Sequence, residues 1–374
     1  MKRYIQDCIK GDLARKMVLL TGPRQVGKTY LAKEISKLYG QSQYLNYDNV
    51  QDRKIVHDQS WGVSSGLLVL DEIHKMKDWT PFLKGAYDGK PEKQEILVTG
   101  SSRLDTFRQA GESLAGRYFR HRLNPVSVKE AAGSLDPQES LNTLNRLGGF
   151  PEPFLSGSDA YAARWRNQYY TDLIREDILE FGRLQEIRAM RLLLEMLRAR
   201  TGSPLSYASL SEDLKIAPNT VKSYVDILEN LCIVFLVRPF HRNIARAIQK
   251  EPKLYFYDTG LVSDEASRLE NTVAVCLKTH ADYAADVKGE NVSLCYLRNK
   301  DKKEVDFVMA KGNKPVQLIE VKTGDDRVSP ALKYFAELLE DAEGIQLVHN
   351  LRQARKERNV SIVNAADWLS KLDA

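Results

Sequence analysis

Apolar positions follow two rhythms along this chain. In the first third, short uninterrupted runs read as strands: Met17-Val18-Leu19-Leu20, Tyr44-Leu45-Asn46-Tyr47, Gly66-Leu67-Leu68-Val69-Leu70 and Glu95-Ile96-Leu97-Val98-Thr99. Between them lie stretches of helical spacing, such as Thr29 to Leu38 (TYLAKEISKL). Continuous apolar strands alternating with helices are what a parallel sheet covered on both faces demands, so an α/β core is expected to about residue 130. Leu147-Gly148-Gly149-Phe150-Pro151-Glu152-Pro153-Phe154 is dense in Gly and Pro and reads as a boundary. Helical spacing then dominates from about 157 to 200, clearest from Ile187 to Leu197, until Thr201-Gly202-Ser203-Pro204 stops it.

Beyond that stop the rhythm shortens. Tyr207 to Leu214 and Pro218 to Leu231 predict two helices around the turn Lys215-Ile216-Ala217, with Val221, Tyr224, Leu228 and Leu231 as the core stripe of the second. Strands at 233–237 and 254–257 follow, which is the order of a winged helix-turn-helix. Thr220, Lys222, Ser223 and Asp226 lie off the stripe, where such a helix meets DNA or simply faces solvent. The last third predicts a helix opening at Ser267 with Leu269, Val273, Cys276, Leu277 and His280 on one face, then strands at 303–309 and 316–322 about a turn at Gly312-Asn313. The expected domains are 1–155, 156–200, 201–258 and 259–374.

Composition narrows the class. The 374 residues suit two or three domains, and 43% hydrophobic with 28% charged residues is the balance of a globular protein. No run approaches the ~20 apolar residues of a membrane helix. The opening MKRYIQDCIKGDLARK lacks the apolar core of a secretion signal, and Cys8, Cys232, Cys276 and Cys295 are scattered. A cytoplasmic protein with reduced thiols and no membrane partner is expected. The net charge of +5 is mildly basic. Two local clusters, Arg117-Tyr118-Phe119-Arg120-His121-Arg122 and the spaced series Arg238, His241, Arg242, Arg246, Lys250 and Lys253, fit a nucleic-acid partner or a solvated face.

The chemistry concentrates at Gly22-Pro23-Arg24-Gln25-Val26-Gly27-Lys28-Thr29, which matches G-x-x-x-x-G-K-[ST] in full between a predicted strand and a predicted helix that Tyr30 continues. Its glycines let successive backbone N–H groups turn inward on a phosphate; Lys28 supplies charge at the β/γ oxygens and the Thr29 hydroxyl can ligate Mg²⁺. The strand at 66–70 ends in Asp71-Glu72, the first carboxylate suited to the Mg²⁺ shell and the second to polarising the attacking water. Ser101 or Ser102, after the strand at 95–99, can reach the γ-phosphate from a neighbouring strand. ATP with Mg²⁺ is the expected cofactor pair and hydrolysis the expected reaction.

A second constellation lies near the C-terminus. Glu320 and Lys322 are two residues apart on one strand and share a face; a hairpin with the strand before it brings Asp306 alongside Glu320. Two carboxylates and a lysine can hold Mg²⁺ and activate water at a phosphodiester, or form a surface ion-pair cluster. Glu270 either adds a carboxylate from the preceding helix or closes a capping box with Ser267.

The segments TGPRQVGKT, LVLDEIHK, VTGSS, ESLAGR, LNPVSVKE, GGFPEPF, YFYDTGL, EVDF and IEVK, in this order over essentially the whole chain, resemble a prokaryotic family of AAA-type ATPases. The resemblance implies an α/β fold: an ASCE-type P-loop ATPase parallel sheet core with a helical lid, a winged helix-turn-helix, and a C-terminal α/β restriction-endonuclease-like domain of the PD-(D/E)XK kind. It implies that Arg117 of ESLAGR, with Arg175 as the competing candidate, reaches the ATP of a neighbouring subunit in a homo-oligomeric ring such as a hexamer. Within the nuclease-like domain that it implies, the segments EVDF and IEVK carry the resemblance, with Val305-Asp306 standing where the signature has Pro-Asp. The expected activity is an oligomeric DNA-processing ATPase working on branched or broken duplex. The alternative is a nucleotide-switched DNA- or protein-binding regulator with an inert nuclease-like domain.

Overall fold

The computed structural model describes residues 1–62, 66–100, 114–179, 184–241 and 250–374. The chain divides into two compact units. The first comprises residues 1–124 with 230–232 and 286–289, and the second comprises 125–229, 233–285 and 290–374.

In the first unit α1 (Gln6–Leu13) leads to β1 (Met17–Thr21), α2 (Lys28–Ser36), β2 (Ser42–Asn46), α3 (Val50–Asp58), β3 (Leu67–Asp71), α4 (Trp79–Asp88), β4 (Glu95–Thr99) and β5 (Tyr118–Arg122). The five strands form one parallel sheet in the order β2-β3-β4-β1-β5. β1 and β3 are buried at every position, as the unbroken apolar runs required. Leu68, Leu70, Ile96, Val98, Met17 and Leu19 join Leu83, Ile73 and Val56 in one core on a single face. The carboxyl ends of β1, β3 and β4 therefore lie side by side, where parallel α/β sheets bind their ligands.

The second unit opens with helices: α5 (Val128–Ala131), α6 (Pro137–Leu147), α7 (Pro151–Ser156), α8 (Asp159–Leu179), α9 (Leu184–Arg198), α10 (Tyr207–Leu214) and α11 (Pro218–Asn230). β6 (Val234–Pro239) and β7 (Lys253–Phe256) follow, then α12 (Glu265–Lys288), β8 (Val292–Arg298), β9 (Glu304–Lys311), β10 (Lys314–Lys322), α13 (Pro330–Leu338), β11 (Glu343–Val348), β12 (Arg355–Glu357), β13 (Val360–Asn364) and α14 (Ala365–Leu369). Strands β6 to β13 make one mixed sheet in the order β12-β13-β11-β10-β9-β8-β6-β7. β6 joins β8 through Arg238↔Cys295 and Pro239↔Tyr296, so hydrogen bonding runs across the expected boundary at 258–259.

Three local expectations change. In α11, Val225 takes the core place expected of Leu231, which lies beyond the helix end. α12 is buried around most of its circumference rather than on one face, with Asn271, Thr272, Val275 and Thr279 buried beside Leu269, Val273 and Leu277. It also starts at Glu265, and Asp264 accepts from the Ser267 N–H at 2.8 Å, which places the N-terminal cap upstream of Ser267.

The GGFPEPF and YFYDTGL segments acquire a shared structural reason. Asp258 is fully buried and receives Arg166 Nε at 2.6 Å, while Arg166 Nη2 donates to the Leu147 carbonyl at 2.9 Å. A Cβ at Gly148 would collide with Asp258 and one at Gly260 with the Arg166 guanidinium, so both glycines admit this ion pair. Gly148 also has φ +81°, a left-handed conformation that favours glycine.

Candidate functional site

The loop between β1 and α2 is built on left-handed backbone: Gly22, Gln25 and Gly27 have φ of 141°, 58° and 101°. Gly22 passes so close to the Leu123 carbonyl that no side chain fits there, and Gly27 is the N-cap of α2. Pro23, Arg24 and Val26 complete the turn, and Tyr30 points outward at 55% exposure. The N-terminus of α2 thus opens beneath the loop, the arrangement that attracts phosphate oxygens.

Lys28, the first residue of α2, is buried, and its ammonium donates to the carbonyls of Gly22 at 3.0 Å and Pro23 at 2.7 Å. Burial lowers its pKa to about 8, against the opposing pull of Glu72 and Asp71. Asp71, at the tip of β3, is 2% exposed and collects three hydroxyls. Thr29 donates to its Oδ2 at 2.8 Å, Tyr44 to the same oxygen at 2.5 Å, and Thr99 to Oδ1. A hard oxygen set of Thr29 hydroxyl and Asp71 carboxylate fits Mg²⁺, which would be held there and would neutralise charge on a triphosphate.

Glu72 adopts φ 58°, with its N–H bonded to the Thr99 carbonyl at 3.1 Å. That turn carries the side chain out of the strand direction to within 3.6 Å of Lys75. Its pKa is raised, chiefly by burial, with Lys75 pulling the other way. A carboxylate with elevated proton affinity one residue beyond Asp71 is suited to a general base. Tyr44 and Thr99 are the residues that sequence reasoning missed. Thr99 ends β4 directly opposite Asp71 and precedes the Gly-Ser-Ser segment, whereas Tyr44 stands at the middle of β2, opposite Val69, and reaches Asp71 through its hydroxyl. Ser101 lies outside the described residues.

Arg117 and Arg175 differ in the single chain. Arg117 makes a two-pronged ion pair with Asp88, Nε to Oδ1 at 2.8 Å and Nη2 to Oδ2 at 3.0 Å. Arg175 is exposed on α8.

The second constellation does converge. The β9–β10 register pairs Phe307 with Ile319, which sets Asp306 beside Glu320, and the Val321 N–H donates to Asp306 Oδ2 at 2.9 Å. Glu270 joins them from α12: its Oε1 accepts from Tyr255 at 2.7 Å. Of the two readings of Glu270, this geometry matches the inward carboxylate. Lys322 Nζ lies 2.9 Å from Glu320 Oε1.

Lys253, the last of the spaced basic series expected at a nucleic-acid partner or a solvated face, is instead the buried cation of this cluster. Its ammonium, 1% exposed, lies 2.8 Å from Glu304, 3.5 Å from Glu270 and 3.7 Å from Asp306. Burial alone would lower its pKa, but Glu270, Asp306 and Glu304 together raise it. Glu270 and Glu320 are pushed up to about 7, first by burial and then by Asp306. Among the described residues no three His, Cys, Asp or Glu side chains are disposed to hold a metal ion. As arranged, the set does not fit a divalent cation; two ammonium groups, Lys253 and Lys322, already sit among its four carboxylates.

The exposed side of α11 presents Lys222, Ser223 and Asp226, while Arg242 and Arg246 lie outside the described residues. None of the four cysteines forms a disulfide. Among the described residues no helix is long and apolar enough to cross a membrane.

Comparison with known proteins agrees with the first unit. Residues 14–132 match the family described as an AAA domain, residues 138–272 a domain of unknown function (DUF8612), and residues 267–368 another (DUF4143). Uncharacterized proteins of Mycobacterium tuberculosis and Mycobacterium bovis are each 32% identical over 248 residues, 66% of this chain. The chain spans about half the length of these curated relatives, 55% of each. An uncharacterized protein of Methanocaldococcus jannaschii is 24% identical over 94% of this chain and 84% of its own length. A Walker-type ATPase of Pyrococcus abyssi overlays with a TM-score of 0.45 at 14% identity, covering 70% of this chain and 94% of that one, and at that score the likeness carries no argument. The phosphate-loop geometry falls within residues 14–132, the segment that is similar to the AAA domain family.

Proposed function

We propose that this chain hydrolyses ATP, with Lys28 at the β/γ phosphates, Thr29 and Asp71 holding Mg²⁺, and Glu72 activating water. The observation that carries this reading is the meeting of Thr29 and Asp71 at 2.8 Å beneath the loop, with Glu72 one residue further on. Phosphate oxygens would compete with the Gly22 and Pro23 carbonyls for the Lys28 ammonium. Bound Mg²⁺ would supply charge neutralisation; the protein would position phosphate and water. Glu72→Gln is expected to retain nucleotide binding and lose turnover about 10²–10⁴-fold. Turnover at the parental rate in a steady-state phosphate-release assay overturns the role of Glu72.

We further infer that turnover is coupled to DNA in a homo-oligomer. Support comes from the helix pair α10–α11 ahead of the β6–β7 hairpin, the exposed Lys222 on α11, and the net positive charge. Lys222→Ala should weaken duplex binding and reduce the slope of log affinity against log salt by about 0.9. Equal affinity and slope in gel shifts of single-stranded, duplex, forked and four-way DNA would move the contact elsewhere.

One observation favours the second reading, a nucleotide-switched regulator whose C-terminal region does not cleave. Lys253 lies among the carboxylates that a nuclease would need for metal. DNA-stimulated turnover with strand displacement supports a motor. Slow, DNA-independent turnover with one preferred partner supports the switch.

A further inference from the structure

A cavity within the second unit, away from the carboxylate cluster around Lys253, has the make-up of an anion site. It lies between one face of α8 and one face of α9, with a volume of about 220 Å³. A water centre needs roughly 10–15 Å³, so the space admits a tetrahedral oxyanion together with ordered water. Three guanidinium groups line it: Arg166, Arg191 and Arg198.

Two of these are anchored and one is not. Arg166 is held by Asp258 and the Leu147 carbonyl through Nε and Nη2. Arg198 donates Nε to the Leu261 carbonyl at 2.7 Å and Nη1 to Glu195 at 2.9 Å. Among the described residues neither Nη1 of Arg166 nor Nη2 of Arg198 has a hydrogen-bond acceptor, and Arg191 is exposed with no ion pair. Three arginines face Asp258 and Glu195, leaving one positive charge in excess.

The independent observation is Tyr170. It lines the same cavity, is 6% exposed, and among the described residues its buried hydroxyl has no hydrogen-bond partner. Of the charges around that hydroxyl the Asp258 carboxylate acts most strongly, and the Arg166 and Arg198 guanidinium groups oppose it. A buried hydroxyl left unmatched costs free energy that phenylalanine would avoid, so its presence beside unsatisfied guanidinium donors points to an acceptor brought from outside. Arginine forks match phosphate oxygens, and a hydroxyl donor completes such a cradle.

We propose that this cavity binds a phosphate group, using Arg191 as the entering contact, Arg166 and Arg198 as fixed donors, and Tyr170 as the innermost donor. The phosphate belongs either to a small free molecule or to the 5′ end of a nucleic-acid strand. The test uses the full chain carrying Lys28→Ala, which weakens the phosphate loop. Pyrophosphate, a 5′-phosphorylated oligonucleotide and its unphosphorylated twin are titrated calorimetrically, with and without Arg191→Gln or Tyr170→Phe. Neither substitution removes a bond made within the protein, so folding is not at stake.

Pyrophosphate affinity that falls at least about tenfold with Arg191→Gln, and several-fold with Tyr170→Phe, supports a free phosphate ligand. The same sensitivities seen only with the phosphorylated oligonucleotide support a strand end. Absence of binding by either, or binding indifferent to both substitutions, overturns the proposal.

Discussion

At the scale of single residues, Lys28 is the clearest case of chemistry set against stability. Its folded pKa, about 8, lies below the ordinary lysine value of 10.5, so the charged form is disfavoured by folding. That penalty is fully present below pH 8 and is relieved as pH rises toward the unfolded value. Lys28→Met should therefore stabilise the N-terminal unit at pH 7, by an upper bound on the order of 3 kcal/mol, with the gain shrinking toward pH 10. Phosphate beside the ammonium would restore its charge, so nucleotide binding at pH 8–9 should take up a proton. Calorimetry in buffers of different ionisation enthalpy reads that proton; no uptake, or a Lys28→Met melting temperature that does not rise, contradicts this account.

At the scale of elements, strand β7 places Lys253 where three carboxylates meet, and removing the ammonium leaves them to repel one another. Lys253→Met should destabilise the C-terminal unit by about 3–5 kcal/mol near neutral pH. Glu270 and Glu320 have raised folded pKa values, so the stability tied to their protonated forms is complete below about 4.5 and lost as pH rises through about 7. The deficit should then be smaller at pH 5.5 than at pH 8, and an equal deficit at both in denaturant titrations would remove Lys253 from the role of counter-ion. This element also shows what the sequence could not convey. The phosphate loop was legible because its backbone dictates its own residues: Gly22 and Gly27 are required by local geometry, and Lys28 and Thr29 follow within one helical turn. The Asp306–Glu320 pairing was legible because a tight turn fixes hairpin register. Lys253 was not, since its acidic partners come from α12 and β9, and a lysine two residues from Tyr255 resembles any strand-end charge. Tyr44 was hidden for the same reason, its link to Asp71 being made only when β2 pairs with β3.

At the scale of the whole molecule, the two arginine candidates predict different behaviour on assembly. Arg117 is occupied by Asp88, so reaching a neighbouring subunit would first break that pair, whereas Arg175 is already exposed. If hydrolysis uses a finger across an interface, turnover per subunit should climb with protein concentration, and Arg175→Ala should cost about 10³-fold or more in turnover with little loss of nucleotide affinity. Full activity of a monomer in native mass spectrometry would rule out either arginine acting between subunits.

The continuous sheet of the second unit also bears on how this chain can be divided. Because β6 pairs with β8 at Cys295 and Tyr296, a fragment beginning after residue 258 would leave that part of the β8 edge without its hydrogen-bonding neighbour. The same cut would strip the acidic cluster of its Lys253 counter-ion, joining a sticky edge to an uncompensated charge centre. What reads along the chain as two modules is, in hydrogen bonding, indivisible: shortened versions would tend to find a substitute strand in one another.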